Sequence, residues 1–367
     1  MKKLQKKMGS IDFFLFCVIM LLAAIGVVMV YSASSYFAFY KESDDMFFLK
    51  RQGAFAILSF IFMIITINID YHYYKRYTKL LMVISTILLL VVFAFPEING
   101  ARRWIALGPI NIQPSEIAKY MIVAYLAKSI EAKGEKIRSF TKGVLPCLIV
   151  AGIYAILIYL EKNLSIATVV MAVTFFVLFI GGAKFIHLLI VVAPVAVAGF
   201  AAIMLVPFRR ARFFSYKNPW VDPLNTGYQL IQSFLALGSG GIWGVGIGQS
   251  RQKCYYIPEP HNDFIFAVIG EELGLIGCTF IIVLFILLVW RGIVTAVKAK
   301  DTYGTLLAMG ITSVIAVQAL INIAVVTGSI PVTGVPLPFI SYGGSSLLVN
   351  MTAMGILLNI SRQKSNM

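Results

Sequence analysis

The chain is a series of long apolar runs separated by shorter polar links. A run of about 20 apolar residues is long enough for an α-helix to cross a lipid bilayer. The pattern predicts ten such helices and therefore an all-α polytopic integral membrane protein, with residues 1–367 forming one membrane domain. The predicted spans lie near residues 12–33, 51–69, 79–95, 113–130, 144–160, 163–181, 184–206, 262–290, 305–327 and 341–360.

Composition supports this class and excludes others. Apolar residues make up 59% of the chain and charged residues 13%, with a mean hydropathy of +0.87, whereas about a quarter of a soluble domain is charged. The net charge of +15 is spread over links between apolar runs, which suits a membrane surface better than nucleic acid. The four cysteines form no CxxC pair and have no His at ligand spacing, so we expect neither a disulfide framework nor a metal site. The first apolar run lacks a small-residue cleavage site, which favours a retained helix over a signal peptide.

The distribution of Lys and Arg predicts the orientation. With the amino terminus inside, the inward short links carry most of these residues, as the positive-inside rule requires. Both termini are then cytoplasmic, and the long link 207–261 is a large extracellular loop. The terminal inner segments contribute Lys2, Lys3, Lys6, Lys7, Arg362 and Lys364 to this argument.

The link 207–261 is too long to be a simple connection. Its basic residues, including Arg210 and Arg212, oppose the positive-inside rule, so either a long loop tolerates them or they bind an anionic ligand. Within it, the segment 228–237 has helical spacing but is too short to cross a bilayer. Because several glycines follow it, we predict a half-helix that dips in from outside and returns through a Gly-rich turn.

Carboxylates concentrate near the start of the eighth span, although the chain has only 16 Asp and Glu residues. Asn262 or Asp263 stands just before the apolar run and could cap a helix. The helix dipole would also hold a carboxylate ionised there, and an ionised carboxylate is a competent base, so the two roles are compatible. Glu271 and Glu272 lie two turns deeper, where we expect structural pairing within the bundle. His261 is expected to be a loop residue rather than a ligand.

A second polar stretch begins with the sequence NGARRWI. It holds Arg102, Arg103 and Trp104, and Trp104 is either an interfacial belt residue or part of a site. The helix that follows carries Glu116 and Lys119, which share one helix face and could pair with each other. Ionisable residues inside a span also mark interior cavities or pathways, so both interpretations stay open.

Six segments, distributed from the first span to the last, carry a family resemblance. They are IGVVMVYSAS (25–34), GARRWI (100–105), QPSEIAK (113–119), DPLNTGYQLIQS (222–233), PEPHNDFIFAVIGEELG (258–274) and PVTGVPLPFISYGGSS (331–346). Together they resemble the SEDS family of FtsW, RodA and SpoVE, most closely its FtsW and SpoVE branch. The resemblance implies a ten-helix glycosyltransferase of the bacterial cytoplasmic membrane. Its implied reaction polymerises lipid II, the undecaprenyl-diphosphate-linked disaccharide peptide, into peptidoglycan. Its implied partners are a class B penicillin-binding protein transpeptidase and other division proteins.

The resemblance also implies roles for individual residues. Asp263 matches the family's essential aspartate, the candidate general base, and Trp104 matches its functional loop tryptophan. Glu116 and Lys119 match its buried polar pair. This chain departs from the family by having Asn262 in place of the usual Thr, and by reading EKNLS at 161–165, to which we carry over no role.

Inverting transfer between sugars needs one base and positive charge for the departing diphosphate. Asp263 is the predicted base, and the predicted substrate-binding arginines are Arg102, Arg103, Arg210 and Arg212, because a guanidinium matches phosphate oxygens. A divalent cation is the alternative counter-charge. The competing function classes are a lipid II flippase or other transporter, which would suit the intramembrane charges, and a division scaffold.

Overall fold

The computed structural model describes residues 9–98, 100–108, 110–254 and 256–363. Five of the lysines used in the orientation argument lie outside the described residues: Lys2, Lys3, Lys6, Lys7 and Lys364. The described chain is mainly α-helical. Its α-helices are α1 Phe13–Glu42, α2 Phe47–Asn68, α3 His72–Val91, α4 Pro114–Lys133, α5 Leu145–Leu160, α6 Leu164–Ile180, α7 Phe185–Met204, α8 Pro207–Ser215, α9 Tyr228–Gly240, α10 Ile265–Val297, α11 Thr302–Val326 and α12 Gly344–Ser361. Shorter elements are the 3₁₀ turns Val92–Ala94, Gly134–Arg138 and Pro219–Val221, the π turn Phe140–Val144, and the strands β1 Ile105–Leu107 and β2 Ile110–Ile112.

Each of the ten predicted spans coincides with one α-helix, which confirms the polytopic all-helical class. Within the described part of the chain, eight helices are long and apolar enough to cross a membrane. The other two coinciding helices are α4, which carries several charges, and α6, which has only 17 residues. Ten crossings and their orientation therefore remain predictions. The bounds differ most at α1, which continues to Glu42, and at α3, which begins at His72.

The helices pack around a buried centre formed largely by α4, α10, α11 and α12. The helix α12 packs along α2, α10 against α11, and α3 against α4. By contrast, α7 lies at the periphery, with Leu188 as its buried residue. A helix with apolar residues on all sides and little protein contact is suited to a lipid environment.

The two ends of the described chain lie side by side. The Gly9 amide donates to the Arg362 carbonyl at 3.1 Å, and the Asp12 amide donates to the Ser361 hydroxyl at 3.0 Å. Since α12 has 18 residues and rises about 1.5 Å per residue, its first residue, Gly344, lies about 27 Å away at the opposite end of the bundle.

The helix α10 is not continuous, contrary to the single span predicted from its apolar run. Gly274 has φ 65° and ψ −164°, so the helical hydrogen bonds are interrupted there. Residues of the Gly-rich segment 241–246 replace them. The amides of Val245 and Gly246 donate to the carbonyls of Glu271 and Glu272 at 2.9 and 3.0 Å. In return, the amides of residues 275 and 276 donate to the carbonyls of residues 241 and 242 at 2.9 and 3.2 Å.

The predicted half-helix is present as α9, which packs against α10 and ends in the Gly-rich segment. The insertion of this segment requires glycine at Gly244, because an added Cβ would lie 2.2 Å from the Glu272 carbonyl oxygen. The long link 207–261 is therefore a structured unit that holds α8, α9 and an inserted turn.

Candidate active site

A cavity of about 450 Å³ lies at the end of the bundle opposite the chain termini. It is bounded by the loop before α10, the hairpin β1–β2, the start of α4 and the segment between α11 and α12. The polar residues that line it are Arg51, Arg103, Trp104, Asn111, Gln113, Glu116, Asn163, Glu259, Asn262, Asp263, Tyr342, Ser345 and Ser346. Residues that lie far apart in the sequence, from Arg51 to Ser346, thus converge on one polar cavity.

Asp263 lines this cavity but does not cap a helix. The helix α10 begins at Ile265 with Phe264 at the N-cap position, and no side chain accepts a hydrogen bond there. The Asn262 side chain donates to the Glu259 carboxylate at 2.7 Å. The capping interpretation of Asn262 and Asp263 is therefore wrong, because the helix starts later than the polar pattern suggested.

The surroundings of Asp263 raise its pKa to about 6, which is the reverse of the expected effect of a helix dipole. Burial is the largest cause, and the nearby Glu259 carboxylate adds to it. The guanidinium groups of Arg103 and Arg212 act in the opposite direction. Asp263 is therefore a partly buried carboxylate with positively charged groups nearby, ionised at neutral pH and still able to accept a proton.

The hairpin β1–β2 places Arg103 and Trp104 at the cavity. Its strands pair antiparallel in the register Ile105↔Ile112, Ala106↔Asn111 and Leu107↔Ile110. The all-α prediction missed this small sheet, although the alternation of apolar residues in IALGPINI is typical of a hairpin. Both Arg103 and Trp104 immediately precede β1, so the hairpin fixes their direction.

The four predicted arginines do not all reach the cavity. Arg103 lines it, and burial lowers the pKa of its guanidinium while Asp263 and Glu161 raise it. Arg212 in α8 is half-buried and interacts electrostatically with Asp263. Arg102 instead points away, donating to the Phe93 carbonyl at 3.2 Å. Arg210 is exposed and is not among the residues that line the cavity.

Glu116 and Lys119 form the expected ion pair, with the ammonium nitrogen 2.7 Å from a carboxylate oxygen. Both side chains are buried at the start of α4. The same carboxylate oxygen accepts from the Ser346 hydroxyl at 2.9 Å, and Lys119 also donates to Gln318 at 2.8 Å. Because Glu116 and Ser346 line the cavity, the pair is both a structural contact and part of the cavity wall.

Glu271 and Glu272 pair with the long link 207–261 that leads to Asp263. The Lys253 ammonium lies 2.9 Å from the Glu272 carboxylate, and both groups are buried. The Glu271 carboxylate accepts from the Ser250 hydroxyl and from the Arg251 amide, the latter at 2.9 Å. Their expected structural role is therefore confirmed, and it extends from the bundle to the loop.

His261 is a buried loop residue, as predicted. Its ring packs against Phe48 at a centroid distance of 4.4 Å and against Tyr342 at 5.4 Å. Burial lowers its pKa to about 4, so its ring is neutral at physiological pH. Among the residues that the structure describes, no group of three or more His, Cys, Asp or Glu side chains is arranged to hold a metal ion.

Sequence reasoning missed two residues that line the cavity and one buried carboxylate that interacts electrostatically with Arg103. Arg51 lines the cavity, and its guanidinium carbon lies 4.2 Å from the centroid of the Phe47 ring. Asn163 lines the cavity and caps α6, accepting from the Ile166 amide at 3.3 Å. Glu161 is fully buried, and neither of its carboxylate oxygens has a hydrogen-bond partner in the described structure. Glu161 and Asn163 belong to the turn EKNLS. Because this turn departs from the family motif, the resemblance implied no role for either residue.

The fold and the cavity define a polytopic membrane protein with a polar, partly cationic site at one end of its helix bundle. A family model described as cell cycle protein, FtsW/RodA/SpoVE, matches residues 12–366. The chain therefore belongs to the FtsW/RodA/SpoVE family, and it is a multi-pass protein of the bacterial cytoplasmic membrane.

Individual relatives agree with this assignment. Stage V sporulation protein E of Bacillus subtilis is 46% identical over 97% of this chain and 98% of its own length. The probable peptidoglycan glycosyltransferase FtsW of Geobacter metallireducens is 43% identical over 97% of this chain and 96% of its own. Among solved structures, a chain of a peptidoglycan synthase complex superposes with a TM-score of 0.81 at 28% identity, covering 97% of this chain and 99% of the other. The rod shape determining protein RodA of Thermus thermophilus gives a TM-score of 0.72 at 27% identity, covering 97% and 98%.

Proposed function

We propose that this family member, a peptidoglycan glycosyltransferase, polymerises lipid II into glycan strands at the outer face of the cytoplasmic membrane, in cell division or sporulation. The observation that carries the proposal is the position of Asp263. It is a partly buried carboxylate with a raised pKa, on a cavity that also presents Arg103. A site of this kind offers one base and positive charge, which are the two requirements of the reaction.

The proposed reaction is a single in-line displacement. Asp263 accepts the proton of the acceptor sugar's 4-hydroxyl while that oxygen bonds to the anomeric carbon of the donor. The bond from that carbon to the diphosphate breaks, and the diphosphate leaves with the electron pair. One displacement turns an α-linked donor into a β-1,4 product, so no second carboxylate is needed as a nucleophile.

Arg103 and Arg212 are the proposed counter-charges for the departing diphosphate. Both lie within electrostatic range of Asp263, and a guanidinium can donate two parallel hydrogen bonds to phosphate oxygens. Trp104 and Arg51 would complete the binding surface at the cavity wall. Arg102 and Arg210 have a weaker case for direct contact, given their positions, and a divalent cation is the alternative source of charge.

The proposed partner is a class B penicillin-binding protein that crosslinks the new strands. It is supported by the resemblance to a chain of a solved peptidoglycan synthase complex, described as coordinating polymerization and crosslinking. Other division proteins are proposed as further partners on the family resemblance alone.

The decisive experiment compares wild type with Asp263→Asn in glycan polymerisation from purified lipid II. Both proteins are solubilised in detergent with the transpeptidase partner, and moenomycin is present to block contaminating transferases of the other class. We expect long strands from wild type and a loss of at least about 100-fold in the variant, because asparagine cannot accept the proton. Partner binding and melting temperature should be unchanged.

Two other results would redirect the interpretation. Equal product from both proteins would remove the proposed role of Asp263. Absence of product from both, with a competent partner, would favour the transporter class, which a lipid II translocation assay in vesicles would then test. The observation that favours a transporter as the second candidate is the buried Glu116–Lys119 ion pair beside the cavity.

A further inference from the structure

The backbone of the loop that carries Asp263 is held at three consecutive residues by α11 and by the segment that follows it. The Tyr342 amide donates to the His261 carbonyl at 2.8 Å. The Ser341 hydroxyl donates to the Asn262 carbonyl at 2.8 Å. The Asn322 side-chain amide donates to the Asp263 carbonyl, also at 2.8 Å. We refer to Asn322, Ser341 and Tyr342 as the carbonyl clamp.

We propose that Asn322 and Ser341 are positioning residues, which hold Asp263 in the orientation that glycosyl transfer requires. This inference rests on the proposed function, since it assumes that the Asp263 carboxylate is the base. A reacting group that is misplaced by about 1 Å can lose about 100-fold in rate, so the backbone beneath a catalytic carboxylate must be fixed.

The two clamp side chains are themselves fixed by the segment between α11 and α12. Asn322, in α11, also donates to the Val335 carbonyl at 2.8 Å, and only 1% of its surface is exposed. The Ser341 hydroxyl also accepts from the Leu337 amide at 2.8 Å, and Ser341 is buried. Each side chain thus joins the catalytic loop to the proline-rich segment 331–341 rather than merely filling space.

The same segment also approaches the carboxylate itself. A Cβ added to Gly334 would lie 3.3 Å from the Asp263 carboxylate oxygen, so the backbone of the segment forms one wall beside it. This arrangement explains how Asp263 is held although it caps no helix. The clamp replaces the fixation that a helix N-terminus would have given.

The test uses substitutions that change a hydrogen bond but little volume. Asn322→Leu has a similar side-chain volume, removes the donating NH₂ group and adds no charge. Ser341→Ala removes the hydroxyl, whereas Ser341→Thr retains it. Ser341→Cys, a weaker donor of similar size, serves as a second variant at that position if the alanine protein does not fold.

Matched controls exist at the opposite end of the bundle. The Asn359 side-chain amide donates to the Ile67 carbonyl at 2.7 Å, so Asn359→Leu repeats the chemical change of Asn322→Leu far from the cavity. The Ser361 hydroxyl accepts from the Asp12 amide, so Ser361→Ala is the corresponding control for Ser341→Ala. All four side chains are buried, so the stability costs should be comparable.

The measurement is the polymerisation rate from lipid II between pH 5 and 8, with the full chain and its partner. We expect Asn322→Leu and Ser341→Ala to lower kcat about 10- to 100-fold with little change in KM, and Ser341→Thr to restore most of the rate. The acidic limb of the pH–rate profile, where protonation of Asp263 lowers the rate, should move to lower pH. An Asp263 carboxylate released from the clamp reaches water, and its pKa then falls. Ser341→Cys should lie between the alanine and threonine variants.

Two results would overturn the inference. One is a kcat and an acidic limb in the clamp variants that match those of the Asn359 and Ser361 controls. The other is a loss of rate that follows melting temperature equally in clamp and control variants, with no movement of the limb. Full activity of Asp263→Asn would instead overturn the proposed function, so the two failures are distinguishable.

Discussion

At the residue scale, Asp263 acquires its character from the balance of burial and charge around it. Burial and the Glu259 carboxylate raise its pKa to about 6, while Arg103 and Arg212 limit the increase. A helix cap would have lowered the pKa and made the carboxylate a weaker base. Because a base works best with a pKa near the operating pH, the observed surroundings suit proton transfer better than the expected ones.

The charge on Arg103 should be visible in the pH dependence of activity. We expect Arg103→Gln to lower kcat/KM about 100-fold through weaker stabilisation of the diphosphate. We also expect the acidic limb of its residual activity to move to higher pH, because Arg103 lowers the pKa of Asp263 and its removal lets that pKa rise. The control is Arg138→Gln, an exposed residue distant from the cavity. If the variant has measurable activity and its acidic limb does not move, Arg103 does not influence the pKa of Asp263.

Glu161 should make stability depend on pH. Burial raises its pKa to about 8 from an ordinary value of 4.5, so the folded protein disfavours the ionised form. Stability should therefore fall as the pH rises from 4.5 to about 8, and level off above that range. Glu161→Gln cannot ionise, so it should be more stable at pH 8 by a few kcal/mol and unchanged at pH 4.5. Melting temperatures in detergent at several pH values test this, and parallel curves for both proteins would contradict it.

Sequence reasoning singled out Asp263, Arg103 and Trp104 from two polar stretches, and the family resemblance implied roles for Asp263 and Trp104; all three line the cavity. It could not separate Arg103 from Arg102, since adjacent residues point in different directions only once the hairpin has formed. It also missed Arg51, whose neighbours in sequence are ordinary for the start of a membrane span. Which of several arginines reaches a cavity depends on packing, and the periodicity of one segment does not contain that information.

At the element scale, the most informative feature is the interruption of α10 by the Gly-rich segment. Hydrogen bonds that one helix would form internally are shared between Glu271, Glu272 and residues 241–246. The same two glutamates hold Lys253 and Ser250 by their side chains. Backbone and side chains therefore fix the long link to the helix that follows Asp263, so the loop and the base belong to one rigid unit.

Substituting Gly274 should test this interlocking directly. In Gly274→Ala the new Cβ would lie 2.4 Å from the Gly244 amide nitrogen, at a φ of 65° that favours glycine. We expect a loss of stability of about 1–3 kcal/mol or more, seen as a lower melting temperature in detergent. The control is Gly152→Ala in α5, where an added Cβ meets nothing within 4 Å and should be neutral or stabilising by up to about 1 kcal/mol. Equal effects of the two substitutions would contradict the interlocked arrangement.

The elements differ in how far the sequence predicts them. The long apolar runs predicted the positions of ten helices. A segment that crosses a membrane must satisfy its backbone hydrogen bonds internally, which a helix of apolar residues does. The break at Gly274 has no such signal, because its replacement hydrogen bonds come from residues about 30 positions earlier in the chain. The start of α10 was misplaced for a related reason, as the carbonyls of residues 261–263 are satisfied by α11 and the segment after it rather than by a helix.

At the scale of the whole molecule, function depends on which end of the bundle faces outward. The cavity and the chain termini lie at opposite ends, and lipid II polymerisation is proposed for the outer face. The positive-inside argument predicts that the termini are cytoplasmic, which would place Asp263 outside. Helix packing fixes the cavity and the termini at opposite ends of the bundle, so the orientation of the bundle links the fold to the proposed reaction.

Cysteine labelling in intact cells can establish that orientation. Lys217 lies after α8 and Arg138 lies between α4 and α5, and both are exposed. In a background with the four native cysteines replaced by alanine, Lys217→Cys should react with a membrane-impermeant maleimide in intact cells, because its loop faces outward. Arg138→Cys should react only after the membrane is opened. The reverse pattern would place the cavity inside the cell, where it could not extend glycan strands at the outer face. It would leave the fold intact and remove that part of the proposal, since the base would then be on the wrong side of the membrane.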